Sequence, residues 1–167
     1  AAAVPGGATA VNVRRSRGYE AMAASKDGRF LYPLLEGPLW DEGKKAFETD
    51  ADREYLRILE FDVAARKWTG RSWKYKLEAN GNNIGDFNMI DATTGLIIER
   101  DNGEGELPQG CTGAPKPDCF NIPAKMKRIY KIELTDANAG SFVRKIGHLD
   151  LLAIKDPNGK GRQGSKE

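Results

Sequence analysis

The run Tyr19-Glu20-Ala21-Met22-Ala23-Ala24, followed by Lys26-Asp27-Gly28-Arg29 and then Phe30-Leu31-Tyr32-Pro33-Leu34-Leu35, decides the fold class. Two short apolar-rich segments flank an Asp-Gly pair, which supplies the positive φ that a tight hairpin turn requires. Pro33 has no N–H to give a ladder, so it marks a bulge or an edge position. Working outward, residues 37–54 are charged, carry Gly, Pro and Trp40, and read as a long loop. Leu56-Arg57-Ile58-Leu59-Glu60-Phe61-Asp62 alternates apolar and polar, as a half-buried strand does. Ala64-Ala65-Arg66-Lys67 turns the chain, and Trp68 to Leu77 forms a fourth strand with Trp73 and Tyr75 on one face.

The pattern then repeats. Ile84 to Asp91 parallels the first strand, Ala92-Thr93-Thr94-Gly95 the turn, and Leu96-Ile97-Ile98-Glu99-Arg100 the second strand. Residues 101–124 form another long insertion. Lys127 to Leu134 parallels Leu56 to Val63, matching Arg128-Ile129 to Arg57-Ile58, and Ser141 to Leu152 supplies the fourth strand. Glu20 and Asp86 fall at matching places. No segment of helical length carries a helical period. Four short strands per unit, given twice, predict an all-β chain of two four-stranded antiparallel units, over 18–77 and 84–152, as β-propeller blades. A sandwich of the same eight strands is the alternative. Two blades leave apolar faces open, so the expectation is a fragment of a larger propeller, or copies that assemble. Residues 1–16 read as a tail or the end of a preceding strand, 17–156 as the domain, and 157–167 as a loop at a cut between blades.

Composition narrows the function classes. The 167 residues carry 26 Lys+Arg against 24 Asp+Glu, interspersed, which gives no nucleic-acid footprint. No apolar run approaches the roughly 18 residues of a spanning helix. The 19 glycines and 8 prolines agree with many turns. His148 is the only histidine, which weighs against a His-rich zinc site or a mechanism that needs two, and it reads as a half-buried strand residue. Cys111 and Cys119 have neither zinc-knuckle nor thioredoxin-type spacing. They read either as a disulfide closing a Pro-containing loop, which would imply export, or as two free thiols. The start of the chain lacks the basic and apolar regions of a signal peptide.

Arg17-Gly18-Tyr19-Glu20-Ala21-Met22-Ala23, Asp27 to Tyr32, Leu56 to Asp62, Leu96 to Asp101 and Lys127-Arg128-Ile129-Tyr130 together resemble the phytase-like domain, also called the "esterase-like activity of phytase" family. The resemblance runs from about Arg14 to Asp156, and Ile98-Glu99-Arg100-Asp101 with Arg128-Ile129-Tyr130 is its most specific piece. It implies a bacterial β-propeller, periplasmic or extracellular, and part of a phosphoric ester hydrolase. Members continue into further blades that this sequence does not include. They usually carry Gly where this chain has Ala21.

Propellers place function on loops and strand ends at the channel. Glu20, Glu36, Asp86 and Glu99 stand at such ends, and carboxylates converging there would hold Ca²⁺, which takes six to eight oxygens and would polarise a bound phosphate ester. Arg17, Arg100 and Arg128 would clamp the phosphate. The same residues read equally as turn carboxylates and structural arginines paired with each other. Trp40, Trp68 and Trp73 read as blade cover or a ligand platform. Gly37 to Lys44 misses the P-loop spacing, and Asp156 to Glu167 lacks an EF-hand's oxygen ligand at Lys160. The readings are therefore a phosphate-ester hydrolase, or a non-catalytic propeller module that binds a small molecule or protein. The expected neighbours are remaining blades or other copies.

Overall fold

The computed structural model describes residues 12–14, 16–103, 122–155 and 157. The Asp27-Gly28 turn forms as expected. Asp27 Oδ1 accepts from Ser25 Oγ at 2.6 Å and from the Arg29 amide at 3.0 Å, and Gly28 takes φ +70°. This joins β1 (Tyr19–Ala24) to β2 (Phe30–Leu35). β6 (Arg53–Asp62) pairs with β2, and β7 (Lys67–Lys76) with β6, completing a four-stranded antiparallel meander. The second meander runs β8 (Asn83–Met89), β9 (Thr94–Arg100), β10 (Lys127–Glu133) and β11 (Arg144–Asp150) in that spatial order. Among the described residues there is no α-helix, only 3₁₀ turns at Asp136–Asn138 and Leu151–Ala153. The fold is all-β, in two blade-like units.

Residues 37–54 hold more order than a loop. β3 (Trp40–Asp41) and β4 (Ala46–Phe47) form a small hairpin, and β5 (Thr49–Asp50) adds to β6. Trp40 therefore spends its ring on Phe47, edge to face with centroids 5.1 Å apart, rather than on a platform. A pairing of two residues per strand is too short to show a period in sequence.

The two units share one core. Leu34, Leu56, Ile58, Trp73 and Tyr75 from the first meet Phe87, Ile97, Tyr130 and Ile132 from the second in a single buried cluster. The units also join through backbone. Lys74 donates to the Ser141 carbonyl at 2.9 Å and accepts from Val143 at 2.9 Å, so the last strand of the first unit pairs in parallel with the turn before β11. Alternation explains the outward faces. Leu31, Phe61 and Trp68 lie opposite one another on the outside of the first unit, with Trp68 half exposed. Ile98, Ile129 and Leu149 do so on the second. The Arg57-Ile58 and Arg128-Ile129 match thus ends in different surroundings, with Ile58 fully buried and Ile129 on the outward face. His148 is exposed, tilted against Tyr130 with ring centroids 5.5 Å apart.

Both inner strands are kinked. The β1 register shifts between Tyr19 and Ala21, and the β8 register between Ile84 and Phe87. Glu20 and Asp86 sit in these bulges, where an extra residue bends the strand and re-aims its side chains. The second-unit hairpin is tightly packed at Gly95, where a Cβ would stand 2.6 Å from the Phe87 ring and 3.2 Å from the Asn88 carbonyl. Gly85 has room, its nearest neighbour being Ile98 at 3.6 Å. Gly95→Ala is expected to cost about 1–3 kcal/mol through overpacking, and Gly85→Ala about 0.5 kcal/mol or less. Urea denaturation of both variants checks the contrast.

Candidate functional site

The site begins where the chain enters β1 and leaves β2. The Glu36 amide donates to the Gly18 carbonyl at 2.8 Å, and Tyr19 lies opposite Leu35, so Arg17 and Glu36 are held across one hairpin mouth. Gly37 lets the arginine lie close, since a Cβ there would be 2.7 Å from that of Arg17. Glu36 is 7% exposed. Burial pushes its carboxyl above the ordinary range, Arg17 pulls it down, Glu20 pushes it up and Arg100 pulls it down. Four of the residues expected from the sequence, Arg17, Glu20, Glu36 and Arg100, therefore share one electrostatic environment. Asn83 lies opposite Arg100 in the β8–β9 ladder. Its Nδ2 donates to Asn102 Oδ1 at 2.7 Å, while its Oδ1 is buried without a partner among the described residues. A buried acceptor left open is a place for water or a ligand donor.

The other three expected residues are elsewhere. Asp86 is exposed on its bulge and accepts from the Phe87 amide and the Asn88 side chain, each at 2.8 Å. Arg128 donates to Asp150 and to the Tyr130 hydroxyl, each at 3.3 Å. Glu99 is fully buried between the two units. One of its oxygens accepts from the Glu78 amide at 2.7 Å and Asn82 Nδ2 at 2.9 Å. The other accepts from the Tyr75 hydroxyl at 2.8 Å and Lys145 Nζ at 3.0 Å. The Lys145 ammonium also lies over the Tyr130 and Tyr75 rings, 4.0 and 4.4 Å from their centroids, and bonds Glu78 at 2.7 Å. Burial, and then Glu99, push the Tyr75 hydroxyl far above the ordinary phenol range.

The expected calcium ligands thus do not gather as a set. Among the described residues no three His, Cys, Asp or Glu side chains are placed to hold one ion. The physical reason lies at Glu99, where the compensating cation is the Lys145 ammonium. Among the described residues, the four expected carboxylates do not form one calcium-binding donor set. Sequence reading missed Lys145, Asn82 and Glu78 as partners. The alternating pattern places Lys145 on a strand, but its distance along the chain from Glu99 hides the pairing. Cys111 and Cys119, the extreme N-terminal tail and the segment after Pro157 lie outside the described residues.

Family comparison adds the remaining finding. The model of the phytase-like family, described as esterase-like activity of phytase, matches residues 2–161. The chain belongs to this family. Comparison with curated proteins gave no match, and comparison with solved structures gave none either. Family membership covers both units, so the hairpin mouth and the Glu99 node lie inside the matched span. No helix among the described residues is long and apolar enough to cross a membrane.

Two outcomes are expected. Lys145→Met leaves Glu99 buried without its cation and should cost about 3–5 kcal/mol, with the double variant Lys145→Met, Glu99→Leu costing less than the single. Urea unfolding measures both. Glu36 has a raised folded-state pKa, so the folded chain holds this proton more tightly than the unfolded one, and stability falls as pH rises through that range. Glu36→Gln should therefore raise Tm at pH 7, with the gain vanishing below the ordinary glutamate pKa. Paired melts at pH 7 and pH 3.5 read the difference.

Proposed function

We propose that the chain is part of a secreted, periplasmic or extracellular phosphoric ester hydrolase, with its ester-binding end at Arg17, Glu20, Glu36 and Arg100. The observation that carries this is the family match over residues 2–161. The local chemistry supports it. Arg17 and Arg100 supply guanidinium donors suited to the planar, bidentate recognition of phosphate oxygens. Burial holds the Glu36 carboxyl above its ordinary range, which favours its protonated form and suits it to the role of general acid. In the proposed step water attacks phosphorus and the bond to the leaving oxygen breaks. Glu36 delivers its proton to that oxygen, and the exposed Glu20 carboxylate takes one from the attacking water. No step is routed through calcium, because among the described residues the four carboxylates are not grouped around one point. The outward faces carrying Trp68 and Ile129 are suited to packing against further blades, in the same chain or in other copies.

The test is hydrolysis of p-nitrophenyl phosphate by the purified protein, with calcium and with chelator. Glu36→Gln should lower kcat by about 10²-fold or more with little change in KM, as loss of a general acid does. Arg100→Lys should mainly raise KM. Turnover no faster than buffer, with phosphate or an organic phosphate still bound, would instead assign the non-catalytic binding module.

A further inference from the structure

The opposite end of the β1–β2 hairpin opens a second site, unrelated to the hydrolytic reading. A cleft of about 650 Å³ lies between the two units there, floored by Phe30, Trp73 and Leu134 and lined by Tyr32, Glu60 and Arg71. Glu60 is 2% exposed and Tyr32 6%. Among the described residues neither the Glu60 carboxylate nor the Tyr32 hydroxyl has a hydrogen-bond partner. The charged neighbour of Glu60 is Arg71, whose Nη1 stands 3.6 Å away, beyond hydrogen-bond reach. Arg71 is held off by other contacts. It pairs with Asp136 and stacks over Trp73, its Cζ 5.2 Å from the ring centroid. The oxygens of neither residue are sealed off from solvent, and the open direction is the cleft that both line. Of the charged residues around the cleft, Asp27, Glu60 and Asp136 outnumber Lys26 and Arg71, so the site carries a negative excess.

We propose that this cleft binds a primary alkylammonium group, with its N–H donors on Glu60 and Tyr32 and its alkyl stem on Phe30 and Leu134. The charge excess selects a cation over an anion. Two acceptors aimed into one space select an ammonium, with three donors, over a quaternary amine with none. The group would come from a free amine or from a lysine side chain of a polypeptide.

The probe is n-butylammonium chloride, titrated into the 167-residue protein and followed through the Trp73 indole N–H resonance. That proton is bonded to the Thr135 carbonyl, at 2.9 Å, on the rim of the cleft. Saturable one-to-one binding is expected, absent with n-butanol and with butyrate. Glu60→Gln should weaken it at least tenfold and Tyr32→Phe about threefold. The second variant decides the matter if the first does not fold. A lysyl tripeptide with blocked termini that binds more tightly than butylamine places the source on a polypeptide. Equal or weaker binding places it on a free amine. No saturable shift with butylammonium, equal shifts with butanol, or undiminished binding by a folded variant at either position would overturn the proposal.

Discussion

A single carboxylate with no access to water organises this molecule. Glu99 lies between the two units, and the four donors that satisfy it come from three separate places: Tyr75 on the last strand of the first unit, Glu78 and Asn82 on the crossover, and Lys145 on the last strand of the second. An isolated buried charge would be expelled or neutralised. Here its cost is offset only when both units and the connection between them are in place. The apolar core around it supplies most of the driving force for burial. The apolar core does not fix how one meander sits against the other as closely as four directed bonds to one group do.

The buried glutamates show how one residue type reaches different ends. Glu99 is fully bonded and serves architecture. Glu54 accepts from Arg14 at 3.0 Å and from the Gly81 amide at 2.8 Å, and so pins the N-terminal segment to the crossover. Glu36 sits under burial and the field of two arginines, with no hydrogen bond to its carboxylate among the described residues. Glu60 has its arginine diverted to Asp136. What separates the fully bonded carboxylates from the open ones in this fold is the supply of nearby donors, since all four are nearly equally hidden from solvent.

Much of the architecture was legible in the sequence because the deciding signals are local. The Asp27-Gly28 turn, the alternation through Leu56 to Asp62, and the shared face of Trp73 and Tyr75 each act within a few residues. The repeat then gave the second unit. The β3–β4 hairpin was not legible, since two-residue strands have no period. The site was only half legible. Spacing places Glu36, Glu99 and Arg100 at strand ends, but cannot say which strand end turns toward the channel and which toward the neighbouring unit. Glu99 and Arg100 are adjacent and point to opposite faces, as pleating requires. One therefore became a strut and the other part of the hairpin mouth. The sequence shows both charges but not the lysine from β11 that claims the first.

The crossover from Leu77 to Asn83 is where such a fold would be expected to breathe, being an exposed link between two sheets. Its amides are instead tied to side chains of both units. The Glu78 N–H is bonded to Glu99 of the second unit, and the Gly81 N–H to Glu54 of the first. Solvent hydrogen can reach these two nitrogens only when a carboxylate withdraws, and the Glu99 carboxylate withdraws only if the units part. The deuterium uptake of Glu78 is thus a clock for separation of the sheets, set apart from fraying at either end of the chain. Uptake at Gly81 instead times the withdrawal of the Glu54 side chain carried by β6.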